Sequence, residues 1–421
     1  MNPIIQVFSR CLTPQTKTQI LSLESKVASL FKTFQMTPSF HSDLTMNSGF
    51  HACLIGSGGC ESSFLNYFSA AQQELSEKAK TYPFLLLAHG DLNSLAASLE
   101  CAAKIKSLGG KSFLFNINET EKIKLLSKVL AARMKLNEAR FGVIGKPSDW
   151  LISSNLTTLN GKAEFMGVNI PQNIIQIDYG EFLEAKNSVG DNDIELNNWT
   201  NDIIKNENYG ESKEINGTKV LENMKLFVGL QKLKNKYKLN GLTLRCFDLI
   251  KFNLTGCLAL SLLNDIGVPS ACEGDIPSMF TMHLSYLLSN SPSFMANPID
   301  FNDRTLKMAH CTIARNLTAK YKLRTHFESN TGIGIQADLK TDEPIWTLSR
   351  LDLQNNEMFN EEVTIKNVEH KSEKSCRTQI DVEFKGRDDL MKFLENASGN
   401  HHILTPGRHK EAFSLFRKLF I

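Results

Sequence analysis

Through the first two thirds of the chain, short apolar runs bounded by turn residues alternate with stretches of helical periodicity. HACLIGSG (51–58), PFLLLAHG (83–90), KSFLFNI (111–117) and RFGVIGKP (140–147) read as buried strands, and IIQVF near Met1 is strand-like as well. Helical spacing fills 61–80 and 92–110, the latter stopped by Gly109–Gly110. Strand–helix alternation of this kind builds βα units around an open parallel sheet, and it predicts a first α/β domain over 1–147. A second α/β domain is predicted over 148–266. It has a strand and helix start in 173–185, a polar surface segment from Asn187 to Gly217, a helix at 220–239 and a buried strand at 242–248.

From Val268 the periodicity changes. One helix is expected at 275–289, and then apolar positions recur every second residue in GIGIQADL (332–339), IWTLSRLDL (345–353), EEVTIKNVE (361–369) and TQIDVEFK (378–385). That is the signature of an antiparallel sheet or barrel, with helices at 387–396 and 408–418 around HHILTPG. The third region, 267–421, is therefore expected to be β-rich.

Composition narrows the functional classes. An apolar fraction of 42% is enough for sizeable cores and excludes a disordered or fibrous chain. Lysine plus arginine number 47 against 45 acidic residues, so the net charge of +2 gives no global attraction to nucleic acid or an anionic membrane. A cytoplasmic protein is expected, because the start lacks a basic segment followed by an apolar one and no long uncharged apolar window occurs. The nine cysteines form no CxxC pair and are odd in number, which reads as reduced thiols sitting mostly in cores.

Candidate chemistry concentrates late in the chain. In VPSACEGDIPSM (268–279) a buried-type strand ends in Glu273 and Asp275 just before a helix, a position from which carboxylates point into a cleft, although Asp275 is equally suited to capping that helix. His310 and the adjacent His401 and His402 supply imidazoles, and carboxylate with imidazole suits a divalent cation. Strand alternation sends only one of His401 and His402 inward. Earlier, the turn LIGSGGCE with Gly58 and Gly59 follows a strand and offers backbone N–H groups to an anionic or hydroxyl-rich ligand, or else is only a tight turn. His326 and Glu328 in THFESNTG gather polar side chains just before a β run, as a ligand-binding loop or as a polar turn between strands, and Trp150 could stack on a ligand ring or pack at a domain boundary.

The order of these motifs resembles the L-fucose isomerase-like family, which is related to L-arabinose isomerase. LIGSGGCES, LLLAHGDLNSLAASLE, GVIGKPSDWLISS, LTLRCFDL, TGCLALSLLNDIGVPSACEGDIPSMFTM, FMANP, HCTIARN, THFESNTGIGIQADL and GNHHILTPG run in the family's sequence. The resemblance implies two Rossmann-like domains, a C-terminal barrel-like domain, a homo-oligomer (trimer or hexamer), and a divalent metal, Mn²⁺ above all. It implies conversion of an aldose to a ketose on a small sugar such as a pentose or 6-deoxyhexose. Glu273 then corresponds to the metal-binding, proton-transferring glutamate, with His310 and one of His401 or His402 as further ligands. Gly58, Gly59, Asn93, Ser94, Trp150, His326 and Glu328 would face the sugar. Asn297 stands where the family's isomerases carry a second carboxylate. An amide can ligate a cation but cannot take up a proton, so the second proton transfer falls to water, Asp275 or Asp300, or is absent. Sugar binding without turnover, or another metal-assisted carbohydrate reaction, is the alternative reading.

Overall fold

The computed structural model describes residues 3–41, 50–75, 83–154, 164–165, 168–169, 173–205, 209–210 and 214–421. Parts of two expected segments, 76–80 and several positions within 206–213, lie outside the described residues. The chain divides into two compact units, residues 1–134 with 415–421, and residues 135–414.

In the first unit, β1 (Ile4–Phe8), β2 (Ser39–His41), β3 (His51–Ile55), β4 (Pro83–Ala88) and β5 (Lys111–Asn116) form a parallel sheet in the order β2-β1-β3-β4-β5. Every residue of β4 is buried, as its unbroken PFLLLA run requires for a strand covered on both faces. Each such Leu or Phe contributes about 1.5–3 kcal/mol of burial. β5 lies at the edge, and its pattern of exposed and half-buried positions fits that place.

In the second unit, β6 (Phe141–Ile144), β9 (Ile174–Ile177), β11 (Gly241–Leu244) and β12 (Ser270–Cys272) form a parallel sheet ordered β12-β11-β6-β9. Between β6 and β9 in sequence lies a small antiparallel pair, β7 (Glu164–Phe165) with β8 (Val168–Asn169). A closed antiparallel barrel follows: β13 (Phe294–Asn302), β14 (Thr305–His310), β19 (Thr378–Glu383), β18 (Glu357–Asn367), β17 (Ile345–Asp352) and β20 (His402–Pro406), with β20 returning to β13. The mixed α/β fold with parallel sheets and a C-terminal barrel is the architecture expected from periodicity.

One detail differs. The alternating run at 332–339 is not a barrel strand: β16 (Gly334–Leu339) pairs with β15 (Thr318–Arg324), which in turn pairs with β10 (Tyr209–Gly210) in a separate three-stranded sheet. The helix Ile276–Ser289 packs against β11 and β12 and against β17 and β20, so it ties the parallel sheet to the barrel. Among the described residues no helix is long and apolar enough to cross a membrane.

Candidate metal centre

Three neighbouring barrel strands bring Asn297, His310 and His401 to one end of the barrel. In β13, Ala296 lies opposite His402 of β20 and Asn297 opposite Ala309 of β14, so His401 and His310 flank the two pairs. Glu273 arrives from the parallel sheet, on the turn that joins β12 to the helix Ile276–Ser289.

That turn explains the CEGD sequence. The Asp275 N–H donates to the Cys272 carbonyl, and both central residues have positive φ, 63° at Glu273 and 72° at Gly274. A Cβ on Gly274 would approach the Lys146 carbonyl oxygen and Pro147 Cα at 2.7 Å, so only glycine fits. Glutamate at a positive φ is unusual, and such strain persists where the surroundings over-determine it. Here the Ser148 N–H donates to the Glu273 carbonyl at 2.8 Å and the Trp150 indole N–H donates to Glu273 Oε2 at 2.7 Å.

The ligand-type atoms of Glu273, His310 and His401 all lie within 4.8 Å of one another, and all three residues are buried. Each imidazole is held through its other nitrogen. His401 Nδ1 is 2.9 Å from Asp275 Oδ2, and His310 Nδ1 is 2.9 Å from the Thr312 hydroxyl. His401 Nε2 faces Glu273 Oε1 at 3.7 Å, too far for a hydrogen bond, and has no hydrogen-bond partner. The Asn297 carbonyl oxygen is also buried without one, in the same cavity wall as Glu273 and His310. A carboxylate, two oriented imidazoles and an orphaned amide oxygen converging in a buried space fit a divalent cation, with Asp275 and Thr312 as the outer groups that fix ring orientation.

Behind this set lies a group the sequence reading did not single out. Arg350 in β17 is fully buried and donates to Ser278 Oγ (2.7 Å), the His401 carbonyl (2.8 Å), Ser154 Oγ (2.7 Å) and Asp275 Oδ2 (3.3 Å). Gly399 clears the space for its guanidinium, since a Cβ there would sit 2.7 Å from Arg350 Nη2.

Charges follow from these contacts. Burial pushes Glu273 up, but the His401 imidazole and the Trp150 indole N–H outweigh it and hold the carboxyl below its usual range. Asp275 is likewise raised by burial and lowered further by Arg350 and His401, so it stays ionised. For His401, burial opposes protonation while Asp275 and Glu273 favour it, and the net direction is up. His310 is pushed down to about 3, by burial first and then by His401, which leaves a neutral imidazole of the kind that ligates metals.

Glu273, Asn297, His310, His326 and Glu328 line one shared cavity. The loop bearing His326 and Glu328 is held by the Gly332 N–H donating to the Asn253 carbonyl, and His326 is lowered to about 4, chiefly by burial. Trp150, half exposed, turns its indole N–H to Glu273 and its ring edge-on to Phe247.

His402 points elsewhere, packing edge-on against Phe393 at 4.7 Å, as alternation along a strand requires. Asp300 is exposed and accepts from the N–H of Phe301, Asp275 is committed to its three partners, and neither lines the cavity. Gly58, Gly59, Asn93 and Ser94 belong to the first unit, at the ends of β3 and β4. There the Gly58 N–H donates to the Leu92 carbonyl at 2.7 Å, and the buried Ser94 hydroxyl donates to the Ile55 carbonyl. Those two groups are spent on the turn itself.

Sequence comparison adds a distant relative. No family model matches the chain. Over 101 residues it is 31% identical to a sulfoquinovose isomerase of Clostridium sp. (strain MSTE9). The match covers 22% of this chain and spans 23% of that protein's length. It links the chain to the sugar isomerases in general and does not single out the L-fucose or L-arabinose enzymes.

Proposed function

We propose that this protein is a divalent-metal-dependent aldose–ketose isomerase acting on a small sugar such as a pentose or 6-deoxyhexose. The observation that carries the reading is the convergence of Glu273, His310 and His401 within 4.8 Å, beside a cavity that Glu273 and His310 line together with Asn297, His326 and Glu328. Glu273, His310 and His401, with the Asn297 carbonyl, would hold the cation, most suitably Mn²⁺. When bound, such an ion supplies positive charge for the negative charge that develops on two adjacent sugar oxygens.

The rest is done by the chain. Glu273 is the base: its Oε2 is fixed by Trp150, and its carboxylate takes the proton from one sugar carbon and returns it to the neighbouring carbon. One carboxylate suffices for that transfer, because the same group gives back what it took. His326, neutral in its buried setting, moves the hydroxyl proton between the two oxygens. Asn297 orients a hydroxyl by hydrogen bonding and takes no part in proton transfer. The second reading, sugar binding without turnover, is favoured by that amide.

The test is to purify the chain without chelator, measure bound Mn, Zn and Fe, and assay pentoses and 6-deoxyhexoses for ketose formation with added Mn²⁺. Turnover that drops at least 100-fold in Glu273→Gln is expected. Bound metal without turnover on any sugar would leave the binding reading, and no metal uptake even with Mn²⁺ added would sink the metal site and the isomerase reading with it.

A further inference from the structure

Five of the nine cysteines, Cys246, Cys257, Cys272, Cys311 and Cys376, line the cavity that holds Glu273. A thiol in an ordinary core packs against carbon and needs no sulfur neighbour. Here two thiols meet directly: Cys246 Sγ and Cys272 Sγ are 2.7 Å apart, while both cysteines are free. Neighbouring strands create the meeting. β11 and β12 are paired in parallel with Leu244 opposite Cys272, and Cys246 opens the 3₁₀ segment Cys246–Phe252 that follows β11. Cys311, by contrast, accepts the Arg377 N–H and is shared between Cys257 and Cys376.

We propose that Cys246 and Cys272 are an oxidant-sensitive dithiol, converted to an intramolecular disulfide by hydrogen peroxide entering the cavity. The sulfur of one thiol attacks a peroxide oxygen, the O–O bond breaks, and a sulfenic acid and one water form. The second sulfur then attacks the sulfenic sulfur, and its own proton leaves with the displaced hydroxide as a second water. In sum, two thiols and one peroxide give one disulfide and two waters, the two sulfurs losing the two electrons that the peroxide gains. A sulfur–sulfur bond needs a separation of about 2.05 Å, so the thiols close by a fraction of an ångström.

The bond would join the residue preceding Glu273 to the residue preceding Phe247, whose ring touches both Trp150 and His326. The modification therefore fastens two walls of the cavity together. It does not depend on whether the chain turns over a sugar.

The test uses the full chain. It is treated with hydrogen peroxide, quenched, alkylated in denaturant, digested and mapped by mass. A linked pair joining the Cys246 and Cys272 peptides is expected, two hydrogens lighter than the sum of its parts and separated by dithiothreitol. Alkylation of both cysteines after peroxide overturns the proposal, and so does a link from either one to Cys257, Cys311 or Cys376. Because the wild-type chain supplies the map, no variant has to fold.

Discussion

Asp275 uses its two oxygens for two tasks: Oδ1 accepts the Ser278 N–H and caps the helix, while Oδ2 holds His401 Nδ1. Of the two readings open at this residue from sequence, the helix cap is met, while the second oxygen turns to His401 rather than into the cavity. The ligand-type residues themselves were legible, since Glu273, His310 and His401 are the residue types a cation needs. Of the groups that aim them, Asp275 stood out as a carboxylate beside Glu273, but Thr312 did not, because a hydroxyl two residues beyond a histidine carries no periodic signal. Thr312 is the plainest case, with its hydroxyl 2.9 Å from His310 Nδ1. Thr312→Val keeps the shape and removes that partner, so Mn²⁺ affinity should fall by about 10-fold or more, the usual cost of losing an outer group. Thr312→Ser should recover most of it. Equal affinity in all three chains, read by calorimetric titration, would show that Thr312 does not orient the ring.

At the scale of elements, the turn Cys272–Asp275 does most to place the site. Its two positive φ values and the close approach of Lys146 and Pro147 leave no room for a side chain at Gly274. Gly274→Ala should therefore lower stability by about 1–3 kcal/mol, the range for a residue forced into a sparsely populated conformation. A urea midpoint that moves down with unchanged slope would bear this out, and a change under about 0.5 kcal/mol would refute it. Periodicity located the long strands of the parallel sheets and most of the barrel, and what it left out has physical reasons. Alternation marks a two-faced strand but says nothing about its partner, so the 334–339 run was legible as part of an antiparallel sheet or barrel, but not its pairing with β15 outside the barrel. In β13 the bulge between Pro298 and Asp300 breaks the alternation, which hid a strand that carries Asn297.

For the whole molecule, periodicity gave the class of fold, but histidine burial could be seen only in the folded chain. Of ten histidines, His51, His283 and His326 are pushed down to about 4, and His310 and His402 to about 3, in each case chiefly by burial. A depressed folded value means that the unfolded chain binds protons more readily, so the stability these residues give is complete above 6.5 and is lost as pH falls from 6.5 toward 4. His401 runs the other way. Its folded value is raised, so its contribution is complete below 6.5 and fades only as pH rises. Asp265, raised by burial, opposes the trend by no more than its own proton. Each depressed histidine adds a slope of about 1.4 kcal/mol per pH unit between its two values. Unfolding at pH 5.5 should accordingly take up about four protons, measurable by calorimetry in buffers of different ionisation enthalpy. Uptake below about two would mean that these imidazoles are protonated in the folded chain, and the neutral state assigned to His310 as a ligand and to His326 as a proton carrier would fall with it.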